Sequence, residues 1–139
     1  MKSRASSAAY TEALRDAGLP DDAVVRGDFT VEGGEASCEQ LLAQHPDVDG
    51  IVVASDLMAL GAMRVLTASG RRVPDDVAVT GYDDLGVAER TDPPLTTLSN
   101  PISEMAAEAA RLLLAQLDGG STAPRRVVFA PTLVRRSSA

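Results

Sequence analysis

Residues 49–84 constrain the fold more than any other stretch of this 139-residue chain. Within them, two short apolar runs at 51–54 and 77–80 lack the polar alternation of half-exposed strands. Such runs are typical of strands that a parallel sheet buries on both faces. The intervening residues 56–69 read as a helix, with Ser55 as a potential cap. The sequence therefore predicts a βαβ unit in an α/β fold, with a parallel sheet flanked by helices.

Acidic residues stand at the ends of both predicted strands. Asp56 follows the first strand, and Asp83 and Asp84 follow the second. Ligands of open parallel sheets bind beyond the carboxyl ends of the strands. The pattern therefore predicts a binding site at this edge.

The rest of the chain supplies the other elements of such a fold. Helices are predicted at 4–17, near 34–44 and at 101–118; strands are predicted at 23–29, 95–99, 127–129 and 132–134, and 135–139 reads as a frayed tail. The chain opens on a helix where a doubly wound fold begins on a strand, so at least one strand is expected upstream. The helix at 56–69 is apolar on two sides, which predicts a cover by the sheet and by either a neighbouring helix or a partner subunit.

Composition narrows the class of function. A net charge of −7 argues against direct binding to phosphate backbones, and one cysteine, Cys38, excludes an intrachain disulfide and fits a reducing cytoplasm. No signal peptide and no membrane span are expected. His45 has no metal partners at useful spacing, and Lys2 is the lone lysine. With no P-loop, GxGxxG or GxSxG motif, we expect no metal, no cofactor and no catalysis. Mg²⁺ binding by the paired acids, as in a phosphoacceptor enzyme, remains a minor alternative.

Several phrases resemble one family when taken in order. The chain contains AAYTEALRDAG, ASDLMALGAMRVL, GRRVPDDVAVTGYDD, PPLTTLSNP and PTLVRRSS. They are similar to the effector-binding core of lactose-repressor-like (LacI/GalR) transcriptional regulators. The resemblance implies a periplasmic-binding-protein type I fold, with two α/β lobes and a ligand in the cleft. Residues 1–94 then form the C-terminal lobe without its first strand, 95–126 a crossover strand and a helix of the N-terminal lobe, and 127–139 a return strand and tail.

The same resemblance implies a function. The chain is expected to be the effector-sensing and dimerising part of a regulator, most simply a repressor. Its effector would be a sugar or a nucleoside-like molecule. Operator DNA would be bound only through a helix-turn-helix that this chain lacks, and the working form would be a homodimer. The alternative is a fragment of a periplasmic-type sugar-binding protein, which shares the fold.

Five residues are candidates for effector contact, and each has a second interpretation. Asp83 matches the family position whose carboxylate meets the effector, and it could instead cap a turn. Phe29 could cover the apolar face of a sugar or belong to the core. Ser55 and Asn100 match ligand-facing positions, yet either could cap the helix that follows. Ser6 stands where many relatives place an arginine, so either the effector differs, for instance a neutral polyol, or effector sensing is weakened.

Two further expectations concern surfaces. The dimer interface is assigned to one side of the helix at 56–69, comprising Leu57, Leu60, Gly61 and Arg64. The amphipathic helix at 101–118 is covered in the family by the lobe that this chain lacks. We therefore expect the isolated chain either to oligomerise or to repack this helix.

Overall fold

A computed structural model describes residues 3–118 and 125–139, and the side chains from residue 9 onward within those ranges. The helices are α1 (Ser3–Asp16), α2 (Val31–Gln44), α3 (Asp56–Ala68) and α4 (Ile102–Leu117), and the strands are β1 (Gly50–Val52), β2 (Ala78–Asp83), β3 (Thr96–Ser99) and β4 (Thr132–Val134). A 3-10 turn at Ala88–Arg90 lies between β2 and β3. Residues 119–124, within the predicted 95–126 segment, lie outside the described residues.

The four strands form one sheet in the order β1-β2-β3-β4. Strands β1, β2 and β3 run parallel, and β4 is antiparallel to β3. The mixed α/β architecture with a mainly parallel sheet confirms the predicted fold class. The register pairs Asp83 with Ser99, so β2 and β3 end side by side.

Helix α3 lies at the centre of the core, between the sheet and α2. Its buried side chains include Ala59, Ala62, Met63 and Leu66, which meet Val77 and Val79 from the sheet side in one apolar cluster. The second cover predicted for this helix is a neighbouring helix, α2. Glycines make that contact close: a Cβ on Gly34 would lie 2.2 Å from the Met58 carbonyl oxygen, and one on Gly61 would lie 2.1 Å from that of Val31.

Two predictions for the first half of the chain are wrong. Residues 23–29 form no strand, because within the described residues no other strand lies beside them to pair with their backbone. Strand β1 is consequently an edge of the sheet, and it is not buried on both faces. Within the apolar run at 51–54, Val52 is 65% exposed, whereas Val53 is buried.

The end of the chain also differs from expectation. The tail predicted to fray is ordered, and Ser138 is fully buried. The strand predicted at 127–129 does not form, whereas the strand predicted at 132–134 does, as the antiparallel β4 just after Pro131. The proline has no N–H to donate to a ladder, which favours a strand that begins after it.

Helix α4 carries an exposed apolar face. None of its residues is buried, and Ile102, Met105, Leu113, Leu114 and Leu117 are all more than two-fifths exposed. The expected capping by Asn100 is wrong, since Pro101 occupies the cap position and no side chain makes a cap hydrogen bond. We expected the isolated chain either to oligomerise or to repack this helix. In the described part of the chain, α4 is not repacked to bury its apolar face.

Candidate functional site

The candidate site lies where β2 and β3 end. The Asn100 side-chain amide donates a hydrogen bond to Asp83 Oδ1 at 2.8 Å. The Tyr82 hydroxyl donates to Asn100 Oδ1 at 3.2 Å. All three side chains are partly buried, so they form a preorganised polar cluster at the carboxyl edge of the sheet.

The backbone at Asp83 and Asp84 is unusual. Their φ angles are +106° and +56°, in the half of φ space that non-glycine residues rarely adopt. Conformations of this kind cost on the order of 1–3 kcal/mol each and persist only where the surroundings fix them. Such strain is concentrated at binding sites, which makes the turn after β2 a candidate for function.

Contacts on both sides hold this turn in place. Arg136 pairs with Asp84 at 2.8 Å, and the backbone N–H of Leu85 donates to Asp56 Oδ2 at 2.6 Å. Together with the bond from Asn100 to Asp83, three successive residues of the turn are each tied to a different part of the chain.

Asp56 lies at the carboxyl edge of the sheet, as its position after the first predicted strand indicated. Its structural role, which is to accept hydrogen bonds from neighbouring elements, was not predicted. It is fully buried and also accepts a hydrogen bond from the Thr97 hydroxyl at 2.6 Å. Burial raises the pKa of Asp56, and nearby Asp83 and Asp84 add to the rise, while the bonds from Thr97 and Leu85 oppose it. Gly81 leaves room for this carboxylate, because a Cβ there would lie 2.4 Å from Asp56 Oδ1.

The other predicted effector residues have different settings. Ser55 is buried and caps α3, accepting a hydrogen bond from the Met58 N–H at 3.3 Å, which is its structural alternative. Phe29 is 52% exposed, which argues against the ordinary core role. Ser6 belongs to α1, but its side chain lies outside the described side chains. The effector roles of these three residues stay predictions.

The four residues assigned to a dimer interface do not share one environment. Gly61 is buried against α2, so it has no free surface of its own. Arg64 is exposed and pairs with Glu35 of α2 at 3.1 Å. Leu57 is 37% exposed and Leu60 is half-buried. The accessible part of the predicted interface therefore consists of Leu57, Leu60 and Arg64.

The arrangement at the strand ends is suited to hydrogen bonding with a neutral polar ligand. A carboxylate can accept about four hydrogen bonds, and the bond from Asn100 uses one at Asp83. No group of three or more His, Cys, Asp or Glu side chains that could hold a metal ion occurs among the described residues. Within the same residues, no helix has the length and apolarity to cross a membrane.

Comparison with known proteins identifies the family of this chain. A family model described as a periplasmic binding protein-like domain matches residues 2–139. The chain belongs to this family.

The relatives of this periplasmic binding protein-like domain are transcriptional regulators. The HTH-type transcriptional regulator CelR of Thermobifida fusca is 50% identical over 131 residues, which cover 93% of this chain and 38% of CelR. The HTH-type transcriptional repressor CytR of Escherichia coli K12 is 39% identical over 112 residues, covering 79% of this chain and 33% of CytR. The chain thus spans less than two-fifths of the length of these relatives.

Solved structures give the same result. A complex of CelR with cellobiose superposes with a TM-score of 0.90 at 50% identity, covering 94% of this chain and 40% of that one. A sugar-binding regulator of the LacI family from Escherichia coli, complexed with phosphate, gives 0.81 at 34% identity over 94% of this chain and 47% of that one. The resemblance of the periplasmic binding protein-like domain to lactose-repressor-type regulators is therefore confirmed.

Proposed function

We propose that this chain senses a small-molecule effector, a sugar, for a DNA-binding transcriptional regulator. The observation that carries the proposal is the bond between Asp83 and Asn100, which joins a carboxylate and an amide across the ends of β2 and β3. An ionised carboxylate accepts strong hydrogen bonds, and an amide both donates and accepts. This pair is suited to neighbouring hydroxyl groups of a sugar ring.

The relatives favour the regulator over the alternative of a periplasmic sugar-binding protein. CelR and CytR are HTH-type regulators, and one of the solved relatives is a complex of CelR with cellobiose. A disaccharide such as cellobiose is therefore the first effector to test. We place operator DNA, the cytoplasm and repression in the same proposal, with DNA contact made by a helix-turn-helix of the kind that the names of CelR and CytR state.

Isothermal titration of the complete gene product against cellobiose, maltose, lactose, glucose and cytidine tests the effector. We expect one sugar to bind and the nucleoside to bind weakly or not at all. Asp83→Asn should weaken binding of that sugar by more than about tenfold, because a hydrogen bond to a charged group contributes on the order of 1.5–3 kcal/mol.

The matched control is Asp76→Asn, which makes the same chemical change outside the strand ends. Asp76 pairs with Arg72 in the turn before β2. Its substitution should leave the affinity unchanged. If no sugar or nucleoside bound while operator binding was intact, the sensing role would be wrong; binding of cytidine alone would move the proposal to nucleoside effectors.

We also propose that the accessible face of α3 contributes to a homodimer. Leu57, Leu60 and Arg64 support this proposal because they remain accessible after α2 has packed on the helix. Sedimentation velocity should show a dimer that Leu57→Glu weakens. Leu19→Glu is the matched control, since Leu19 is 55% exposed and lies beyond the end of α1. An unchanged sedimentation coefficient for Leu57→Glu would exclude this face.

A further inference from the structure

The C-terminal residues are built into the sheet next to the candidate site. The Ser138 hydroxyl donates to the Val79 carbonyl oxygen at 2.6 Å and accepts from the Thr96 N–H at 2.8 Å. The Val79 N–H in turn donates to the Ser138 carbonyl oxygen at 2.8 Å. Ser138 therefore bridges β2 and β3 just before the point where the two strands pair directly. Arg136 lies two positions earlier in the same segment.

Arg136 connects the tail to the strained turn. Its guanidinium donates to the Leu95 carbonyl oxygen at 2.9 Å and to Asp84 Oδ1 at 2.8 Å, and it approaches Glu89 Oε1 at 3.4 Å. Its backbone N–H donates to the Thr96 hydroxyl at 2.9 Å. The side chain is only 14% exposed, so the pair with Asp84 is shielded from solvent. Removing one partner of a shielded pair leaves the other charge poorly hydrated, so its loss disturbs the surroundings more than the loss of a surface ion pair.

The position of Arg136 matters because of what Asp84 adjoins. Asp83 precedes it and carries the carboxylate that meets Asn100. Both acids have positive φ, and a turn with two such residues needs fixed partners to persist. Arg136 is the cation that the structure places on this turn, among the described residues. Glu89 is the other acid that faces it.

We propose that Arg136 is a positioning residue for effector binding, which holds Asp84 so that Asp83 presents its carboxylate beside Asn100. The effect of Arg136 on affinity rests on the proposed sensing function. Its structural effect on the turn does not require a ligand. Arg136 acts through Asp84 and need not touch the effector. Affinity is then set in part by a residue in the last segment of the chain, outside the strand ends themselves.

Amide hydrogen exchange in the unliganded full chain tests the structural half. We expect Arg136→Gln to speed exchange of the Leu85 amide by about tenfold, because loosening the turn opens its bond to Asp56. The Val53 amide, bonded to Thr80 in the core, should not change. Arg72→Gln is the control, since it breaks an exposed pair with Asp76. Unchanged exchange at Leu85 in Arg136→Gln would overturn the proposal.

A second variant keeps the test decisive if Arg136→Gln loosens the whole fold. Asp84→Asn weakens the same pair from the other side and leaves the Arg136 bond to Leu95 in place. It should speed exchange at Leu85 while the Val53 amide stays protected. A variant in which both amides exchange faster together would show that the pair supports the fold generally, and the positioning role would be wrong.

A double-mutant cycle on cellobiose binding tests the functional half. Arg136→Gln and Asp84→Asn should each raise the dissociation constant by about tenfold, and the double variant should be no weaker than either single one. Additive effects, or none, would overturn the functional half. If the unsubstituted protein bound no sugar, the proposed function would fail, whereas the exchange experiment would still decide whether Arg136 holds the turn.

Discussion

At the scale of single residues, Asp56 has the greatest influence on the geometry of the strand ends. It is fully buried at the start of α3, and its two carboxylate oxygens accept one bond from β3 and one from the turn after β2. A single side chain thereby sets the spacing of three elements. It replaces bonds to water with bonds to Thr97 and Leu85, and substitution would leave both donors without an acceptor.

Asp56→Ala should lower the free energy of unfolding by about 2–5 kcal/mol, because each buried donor left without a partner costs roughly 1–3 kcal/mol. Urea titration followed by circular dichroism measures the change. Asp76→Ala, at an exposed acid, is the control and should have a much smaller effect. A loss for Asp56→Ala no larger than that of the control would show that water reaches Leu85 and Thr97.

The raised pKa of Asp56 also predicts a dependence on pH. In the folded state the carboxyl keeps its proton at pH values where the unfolded chain, near its usual 3.8, has released it. This stabilising contribution is therefore full below pH 3.8 and is lost as the pH rises through the folded-state pKa. The stability of the unsubstituted protein relative to Asp56→Asn should fall over that range.

The control for this pH series has the opposite sign. Hydrogen bonds from Arg72 lower the pKa of Asp76 to about 2. Its contribution is present above pH 3.8 and is lost as the pH falls through the folded-state value. Stability relative to Asp76→Asn should therefore rise between about pH 2 and pH 3.8 and then level off, whereas stability relative to Asp56→Asn should be level below pH 3.8 and fall above it. Parallel curves for the two variants would contradict the assignment of Asp56.

Cys38 should be unreactive in the folded protein. It is 3% exposed, and burial raises the pKa of its thiol to about 11 from a usual value of 9.0. At pH 8 the thiolate fraction alone should slow alkylation by about 100-fold, and burial should slow it further. Labelling by iodoacetamide, followed by mass spectrometry, checks this. The same reaction in concentrated guanidinium chloride is the control; equal rates would show that α2 opens readily.

At the scale of elements, helices α2 and α3 cross at close range. Both glycines in this crossing, Gly34 and Gly61, lie where a Cβ would overlap the backbone of the opposite helix. The sequence predicted both helices and the two-sided apolar character of α3. It left open whether a helix or a partner subunit covered the second side, since an apolar face does not encode which surface packs on it.

Gly61→Ala should therefore destabilise the chain although alanine favours helices. A Cβ at this position would lie 2.1 Å from the Val31 carbonyl oxygen, so α2 must shift, with a cost of about 1–3 kcal/mol. The midpoint of thermal unfolding by circular dichroism measures it. Gly50→Ala is the matched control, because nothing lies within 4 Å of its added Cβ. A gain in stability for Gly61→Ala would show that the helices are less tightly packed.

Local patterns were reliable where an element is built from its own residues and unreliable where it depends on a neighbour. Helices α3 and α4 follow their amphipathic patterns closely. The strand expected at 23–29 fails because a strand requires a second backbone beside it. Asn100 depends on a neighbour in the same way. Asparagine often caps helices, but the side chain of Asn100 bonds Asp83 instead, because the end of β2 lies beside it.

At the scale of the whole molecule, the exposed apolar face of α4 is the largest departure from a self-contained domain. Leu113, Leu114 and Leu117 are between 58% and 74% exposed, and Val127 and Val128 nearby in sequence order are also exposed. Contiguous apolar patches on soluble chains usually mark contact surfaces. The sequence identified this face from its spacing, and the structure leaves it uncovered in the described residues.

The 139-residue chain should therefore self-associate through α4. We expect the apparent mass in sedimentation equilibrium to rise with concentration, and the double substitution Leu113→Glu, Leu117→Glu to suppress that rise. Leu57→Glu on α3 is the control. It alters the face proposed for the dimer and should leave the association through α4 in place. A monodisperse monomer at every concentration would contradict the prediction.

The sequence by itself determined the class of fold and the order of its main helices and parallel strands, and it predicted the edge at which a ligand site should lie. These follow from apolar periodicity and from strand direction, which are local properties. The tertiary structure decided which residues complete that edge. Asp56 is far along the chain from Arg136 and Ser138, and each of the three gained its role from hydrogen bonds to other elements. Such partners are set by how strands and tail meet in space, which no local pattern in the sequence records.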